Sequence, residues 1–214
     1  MTHQSTMLRL ATAGSVDDGK STLVGRLLHD SKAILADQWD AVERISRDRG
    51  LTGADLALLT DGLRAEREQG ITIDVAYRYF ATEKRSFVLA DCPGHVQYTR
   101  NTVTGASTAD VVVLLVDARK GVVEQTRRHL AVAALLRVPH VILAVNKIDL
   151  VDDAEARFLE VAAGAAEVAL GLGLADLRAI PVSAFHFVNV RAPCATPSWY
   201  SAPSLLEVLE CLAV

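Results

Sequence analysis

The sequence has little cysteine, no long apolar run and no concentration of basic charge. Cys92, Cys194 and Cys211 are its three cysteines, and because they form no Cys-x-x-Cys pair, neither a zinc site nor a disulfide framework is indicated. No apolar run approaches the length of a membrane span, and the N-terminus lacks the apolar core of a signal peptide. We therefore expect a cytoplasmic protein that makes no contact with a membrane.

The charge pattern gives no sign of a nucleic-acid partner. The net charge is −4, and the basic residues are scattered among acidic ones rather than gathered into a stripe. The chain has no repeats and no low-complexity tract. Its 214 residues, half of them apolar, are enough for one globular domain with a full core, so we expect residues 1–214 to form a single unit.

The segment Gly14–Ser21 matches the phosphate-binding loop pattern of Gly, four residues and Gly-Lys-Ser. It lies between the strand-like run Leu8–Ala13 and the helical pattern Ser21–His29, which places phosphates at a positive helix N-terminus. Lys20 supplies a charge for the β- and γ-phosphates, and the Ser21 hydroxyl suits Mg²⁺. The residues expected to contact the phosphates are Gly14, Ser15, Val16, Asp17, Asp18, Gly19, Lys20, Ser21 and Thr22.

The tetrad Asn146–Asp149 predicts which base is bound. It follows the buried-strand pattern Val141–Val145, and the Asp149 carboxylate can accept hydrogen bonds from N1–H and the 2-amino group of guanine. Adenine has no donor at either place, so it would leave a buried carboxylate unpaired. Lys147 can lie over the base, and Asn146 can tie this loop to the phosphate loop. Taken alone, the tetrad has moderate weight, since it can also occur by chance or as a salt-bridged turn.

A second loop is expected to contact the base. Ser183 and Ala184 follow the short apolar run Ala179–Val182, and a backbone N–H there can meet guanine O6. The dipeptide has little weight alone. It gains weight because it follows a strand, as the phosphate loop and the Asn146–Asp149 tetrad also do.

The run Asp91–His95 follows another strand pattern and predicts the hydrolytic side of the site. Asp91 suits a water-bridged contact to Mg²⁺, and the Gly94 N–H can reach a γ-phosphate because no side chain blocks the approach. His95 then lies where an attacking water would be, although a solvated loop histidine is the alternative. The hydroxyl of Thr72 can complete the Mg²⁺ shell. We expect catalysis by His95, Lys20 and Thr72, and metal binding by Ser21, Thr72 and, through water, Asp91.

Asp17 stands at the middle of the phosphate loop, where its carboxylate faces anionic phosphates. One interpretation is a side chain turned to cap the N–H groups of the loop itself. The other is that Asp17 helps hold a monovalent cation such as K⁺ beside the β- and γ-phosphates.

The remaining pattern predicts an α/β fold of the P-loop NTPase type. Strands at 74–81 and 84–90 read as a hairpin, and Asp110–Asp117 reads as a buried central strand. Helices are expected at Glu124–Arg137, at Asp153–Gly171 and at the C-terminus from Ser204, with two short helices inside the polar insert 30–69. The sum is a mostly parallel sheet flanked by helices, with one antiparallel edge strand.

The order of these motifs resembles the GTPases of the translation-factor class. Finer details resemble one branch of it, the GTPase subunit of bacterial sulfate adenylyltransferase. The segments that carry this resemblance are Gly14–Leu23, Thr60–Phe80, Gln97–Thr108, Asp117–Gly121 and Gln125–His129. Two places depart from the family pattern: Cys92 stands where Thr is usual, and the loop 185–190 retains only Asn189-Val190 of the usual turn.

The resemblance implies a GTP-binding and GTP-hydrolysing subunit with GTP or GDP and Mg²⁺ as ligands. It also implies a partner, a small ATP-pyrophosphatase-like subunit in which sulfate is adenylylated by ATP, driven by GTP hydrolysis. The family subunit continues into β-barrel domains, and some relatives are fused to an adenylylsulfate kinase, so we expect this chain to be the isolated GTPase domain. The alternatives are a GTPase like translation elongation or initiation factors, disfavoured by Asp18 and the 97–108 segment, and a binding switch with little turnover, disfavoured by His95.

Overall fold

The structure is a computed structural model that describes residues 7–31, 36–48, 54–59, 74–95, 98–192 and 198–213. Its strands form one six-stranded sheet in the order β2-β3-β1-β4-β5-β6. All neighbouring strands are parallel except β2 and β3, which form an antiparallel hairpin at the edge, so the predicted fold class is confirmed. The strands are β1 Met7–Ala13, β2 Ala76–Ala81, β3 Ser86–Asp91, β4 Val111–Asp117, β5 His140–Asn146 and β6 Leu177–Pro181.

Helices lie where the sequence predicts them, with small differences in their bounds, and one further helix, Thr99–Ala106, was not predicted. They are α1 Lys20–Asp30, α2 Ala36–Asp48, α3 Thr99–Ala106, α4 Glu124–Leu135, α5 Ala154–Gly171 and α6 Leu205–Cys211. In the described parts of the insert 30–69, the two predicted short helices correspond to α2, which has 13 residues, and a 3₁₀ turn at Leu56–Leu59. Among the described residues, no helix has both the length and the apolar content that crossing a bilayer requires.

Two apolar clusters cover the two faces of the sheet, and strand alternation assigns residues to each. Leu8 and Leu10 of β1 pack with α1 and α6, whereas Ala11 and Ala13 face the side covered by α4 and α5. Every residue of β4 is buried, as expected of a central parallel strand covered on both faces. The continuous apolar run of β4 therefore follows directly from its place in the sheet.

Capping side chains set several helix ends. The Asp153 carboxylate accepts the Ala156 N–H at 3.1 Å, which confirms one of the two predicted caps of α5. Ser204 and Glu207 form a capping box at the start of α6. The buried guanidinium of Arg85 donates to the carbonyls of Leu209 and Leu212 at 3.0 and 2.6 Å, so the strand hairpin satisfies the last turn of α6.

Candidate functional site

The predicted motifs meet at one edge of the sheet because each follows the carboxyl end of a parallel strand. Thr12 of β1 is paired in register with Asp91 of β3, and Asp117 of β4 with Asn146 of β5. The phosphate loop, the Asp91–His95 run, the Asn146–Asp149 tetrad and Ser183 all leave the sheet at this edge. Loops that are tens of residues apart in the sequence therefore lie beside one another in the structure.

The backbone of the phosphate loop has the conformation that its glycines permit. Gly14 and Gly19 have φ of 144° and 94°, and a Cβ on Gly14 would lie 2.7 Å from the Leu115 carbonyl oxygen. Asp17 also adopts positive φ, 68°, a region that aspartate tolerates better than most residues. These conformations let the chain turn tightly between the end of β1 at Ala13 and the start of α1 at Lys20.

Lys20 is held inside the loop. Its ammonium donates to the carbonyls of Gly14 and Ser15 at 3.0 and 2.8 Å, and only 7% of the residue is exposed. Burial lowers the pKa of Lys20, while the negative charges of Asp18 and Asp91 oppose that shift. The lysine charge is therefore positioned where the phosphate loop closes.

The carboxylate that caps the phosphate loop belongs to Asp18. Asp18 Oδ2 accepts the Ser15 N–H at 2.8 Å and the residue is 2% exposed, whereas Asp17 is exposed. The structure thus gives Asp18 the capping role that the sequence offered as one interpretation of Asp17. Burial is the main cause that raises the pKa of Asp18. Ser15 Oγ is buried without a hydrogen-bond partner among the described residues.

Asp91 is fixed at the end of β3 by a neighbouring hydroxyl. Thr12 Oγ1 donates to Asp91 Oδ1 at 2.9 Å and accepts the Cys92 N–H at 3.3 Å. Cys92 is fully buried, and burial raises the pKa of its thiol to about 12, so it is a packing residue without thiolate chemistry. A Cβ on Gly105 of α3 would overlap Cys92 Sγ, so the glycine leaves the space that the buried Cys92 side chain fills.

Gly94 lies directly against the phosphate loop. A Cβ on Gly94 would be 2.6 Å from the Gly14 carbonyl oxygen and would also overlap the Lys20 ammonium, so only glycine fits. His95 follows it, partly buried, with its ring centroid 6.0 Å from that of Tyr98. Thr72, the predicted Mg²⁺ ligand, lies outside the described residues.

Asn146 joins three loops. Its Nδ2 donates to the Asp18 carbonyl at 2.8 Å, which is the link to the phosphate loop that the sequence predicts. Its Oδ1 accepts the Ala184 N–H at 3.0 Å, and the residue is 2% exposed. The N–H expected to meet guanine O6 therefore has a protein partner, and a base oxygen would share it with Asn146. Only glycine fits at position 19, because a Cβ there would overlap Asn146 Nδ2.

Lys147 is anchored by Asp117, a residue whose role in the site the sequence interpretation missed. Lys147 adopts φ of 61°, donates to the Asp17 carbonyl, and lies 3.1 Å from Asp117 Oδ2. Arg119 donates to both oxygens of Asp117 at 3.0 and 2.6 Å. Burial of Asp117 raises its pKa, but the hydrogen bonds from Arg119 and Lys147 outweigh burial and hold that pKa below its usual range. The sequence signal that could have identified Asp117 is an acidic residue at the end of the predicted central strand.

Asp149 stands on the 3₁₀ turn Ile148–Leu150 with 24% of its side chain exposed. Its Oδ2 lies 3.7 Å from His186 Nε2 in the loop after Ser183. That loop is closed by an antiparallel bridge between Ser183 and Val188, and Phe187 stacks beneath the Arg26 guanidinium, 3.3 Å from its centre. The departure from the family turn at 185–190 is thus an ordered aromatic turn beside Asp149.

The described residues contain no group of three or more His, Cys, Asp or Glu side chains arranged to hold a metal ion. What the site offers instead is the hydroxyl of Ser21 in the first turn of α1 and the carboxylate of Asp91 at the end of β3. These are hard oxygen donors of the kind that Mg²⁺ prefers when it also binds phosphates. The donor set is therefore compatible with Mg²⁺ held together with a nucleotide.

Known proteins resemble this chain in sequence along nearly its whole length. The bifunctional enzyme CysN/CysC of Mycobacterium tuberculosis strain H37Rv is 60% identical over 96% of this chain and 34% of that protein. Sulfate adenylyltransferase subunit 1 of Vibrio atlanticus is 59% identical over 97% of this chain and 44% of that protein. The chain thus spans less than half the length of these curated relatives.

A solved structure shows the same fold. The Ski7 GTPase-like domain of S. cerevisiae, bound to GDP and inorganic phosphate, superposes with a TM-score of 0.82 over 96% of this chain and 49% of that chain, at 23% identity. The family model described as the elongation factor Tu GTP binding domain matches residues 5–213. Because that match covers nearly the whole sequence, the chain belongs to the elongation factor Tu GTP-binding domain family.

Proposed function

We propose that residues 1–214 form a GTP-hydrolysing domain that serves as the GTPase part of a sulfate adenylyltransferase. The observation that carries the first half is the bridge made by Asn146. One buried side chain holds the phosphate loop through Asp18 and the base-side loop through Ala184. Two nucleotide-contacting segments are thereby held at a fixed separation, which suits a ligand with a base at one end and phosphates at the other.

Guanine is the base we assign. Asp149 presents a partly exposed carboxylate beside the aromatic turn 185–187, and a carboxylate accepts from N1–H and the 2-amino group together. Lys147 pairs with Asp117 and donates to the Asp17 carbonyl, so its side chain connects the tetrad to the phosphate loop. An adenine in this place would leave Asp149 without a donor.

The phosphates are assigned to the loop 14–22, with Lys20 as the charge for the β- and γ-phosphates. Ser21, Thr72 and, through water, Asp91 are the residues that would hold Mg²⁺, which neutralises charge on the β- and γ-phosphates when bound. Thr12 supports Asp91 by donating to one of its oxygens at 2.9 Å. Gly94, where a Cβ would lie 2.6 Å from the Gly14 carbonyl oxygen, would offer its N–H to the γ-phosphate.

Hydrolysis is assigned to His95, which follows Gly94 on the γ-phosphate side. Its imidazole would orient or polarise the attacking water, a contact that matters in the transition state more than in binding. This role separates a hydrolase from a binding switch with little turnover.

The second half of the proposal comes from the relatives. Those with 55–60% identity carry the name sulfate adenylyltransferase subunit 1 or the name bifunctional enzyme CysN/CysC. The words "subunit 1" imply a second subunit. We assign to it the small ATP-pyrophosphatase-like chain in which ATP and sulfate form adenylylsulfate, with GTP hydrolysis in the present domain as the driving reaction.

The test uses purified protein and measures phosphate release from GTP and from ATP, alone and with the small subunit. We expect turnover of GTP and none of ATP, and we expect the small subunit with ATP and sulfate to raise the GTPase rate and to yield pyrophosphate. ATP turnover equal to that of GTP would contradict the guanine assignment. Stimulation by ribosomes and none by the small subunit would contradict the sulfate adenylyltransferase assignment and favour a translational GTPase.

A further inference from the structure

Asp18 is a negative charge built into a loop that is to bind anions. Its carboxylate accepts the Ser15 N–H at 2.8 Å, and its own N–H donates to the Ser15 carbonyl at 3.4 Å. The residue is 2% exposed, and burial raises its pKa. Asp18 therefore closes the first turn of the phosphate loop, but it also puts a buried carboxylate in the loop to which we assign the phosphates.

Lys120 is the cation that faces this carboxylate from another loop. Its ammonium lies 3.8 Å from Asp18 Oδ1 and donates to the Val16 carbonyl at 3.5 Å. The backbone N–H groups of Lys120 and Gly121 both donate to the Asp117 carbonyl, at 3.0 and 2.9 Å, so the lysine starts from a fixed position after β4. The Lys120 side chain thus reaches from the end of β4 to Val16 and Asp18 of the phosphate loop.

Lys120 and Lys147 both link the phosphate loop to the end of β4. Asp117, whose carbonyl fixes Lys120, also binds Lys147 through its carboxylate at 3.1 Å, and Lys147 donates to the Asp17 carbonyl. Adjacent residues of the phosphate loop, Asp17 and Asp18, are therefore held by two lysines that both depend on Asp117. Lys147 belongs to the base-recognition tetrad, whereas nothing in the site assignment uses Lys120.

We propose that Asp18 and Lys120 are a positioning pair for the nucleotide: Asp18 shapes the phosphate loop, and Lys120 offsets its negative charge so that phosphates can bind beside it. This inference rests on the proposed GTP-binding function and adds two residues to it. Lys120 therefore affects nucleotide affinity through Asp18 and has no phosphate contact of its own.

The consequence is tested by removing each charge separately and then together. Lys120→Met keeps most of the stem while removing the ammonium, and Asp18→Asn keeps an oxygen that can accept the Ser15 N–H while removing the charge. Lys84→Met is the matched control, since Lys84 pairs with Glu210 at 2.8 Å at the opposite end of the sheet and its loss changes the net charge equally. GDP affinity is measured by calorimetric titration, and urea denaturation reports the stability of each variant.

In the wild-type background we expect Lys120→Met to weaken GDP binding about fivefold, the scale of a partly exposed ion pair. In the Asp18→Asn background the same substitution should change GDP affinity less than twofold, because there is no carboxylate left to offset. Asp18→Asn alone should bind GDP more tightly than wild type, and Lys84→Met should match wild type. If Lys120 had a purely structural role, Lys120→Met would lower the stability of the protein, and its effect on GDP affinity would not depend on the residue at position 18.

Two results would overturn the inference while leaving the proposed function in place. Equal weakening by Lys120→Met in both backgrounds would mean that the lysine acts on the phosphates directly. No weakening in either background would mean that the pair has no effect on the nucleotide. A wild-type protein that fails to bind GDP would overturn the proposed function itself, and the inference with it.

Discussion

Asn146 is the side chain whose loss we expect to affect the site most, because its two hydrogen bonds join three loops. Asn146→Ala removes the donor to the Asp18 carbonyl at 2.8 Å and the acceptor of the Ala184 N–H at 3.0 Å. Both partners are buried backbone groups beside a residue that is 2% exposed, so water cannot easily replace the lost amide.

The magnitude follows from what the substitution leaves behind. A buried backbone group without a partner costs about 1–3 kcal/mol, so two such groups give a loss of about 2–6 kcal/mol in the free energy of unfolding. That is a large share of the roughly 5–15 kcal/mol by which a typical domain is stable. Because the Asn146 bridge also fixes the separation of the loops, we expect GDP affinity to fall about tenfold or more beyond the effect on stability.

Urea denaturation without nucleotide measures the first quantity, and calorimetric titration with GDP measures the second. Ser204→Ala is the control, because it removes a buried N-cap at the start of α6 and should cost about 1 kcal/mol of stability. Its GDP affinity should equal that of wild type. A stability loss below about 1 kcal/mol in Asn146→Ala, together with GDP affinity within about twofold of wild type, would show that neither hydrogen bond is important.

Four further changes test other residues of the site and its surroundings. Asp149→Asn should weaken GTP binding about tenfold or more, about 1.4 kcal/mol, and strengthen binding of xanthosine triphosphate, both measured by calorimetry. His95→Ala should slow single-turnover GTP hydrolysis about 10²-fold with GTP affinity near wild type. Hydrolysis by wild type should be faster in potassium than in lithium at equal ionic strength, and Asp17→Ala should abolish the difference. Burial lowers the pKa of His129 from 6.5 to about 4, so the fold keeps the ring neutral while the unfolded chain takes up a proton as the pH falls. The unfolding free energy should therefore drop by about 2 kcal/mol between roughly pH 6.5 and 5, and His129→Gln should lack this drop.

Each of the four has an outcome that would contradict it. Unchanged GTP affinity in Asp149→Asn would remove the guanine assignment. Equal single-turnover rates for His95→Ala and wild type, measured with the partner present, would remove the catalytic role. A wild-type rate that does not depend on the cation would remove the K⁺ site. Parallel pH dependence of stability in His129→Gln and wild type would show that other groups cause the acid sensitivity.

The residue sequence was sufficient for several features that depend on neighbours along the chain. The phosphate loop pattern, the apolar run of β4 and the start of the last helix at Ser204 each lie within a dozen residues, so a short-range pattern contains the whole interaction. The antiparallel edge was likewise visible as two strand patterns separated by a turn. Because strands of a parallel sheet end at one edge, the sequence also predicted that the motifs would meet.

Only the tertiary structure decided which side chains hold the loops against one another. Asn146 and Asp18 are 128 residues apart, and Lys147 and Asp17 are 130 apart, so no local pattern can contain either contact. The same is true of Lys120, which reads as an ordinary surface lysine until its loop is placed beside Asp18. Asp17 and Asp18 are chemically identical in the sequence. The fold distinguishes them because the turn of the loop buries one carboxylate against the Ser15 N–H and leaves the other exposed.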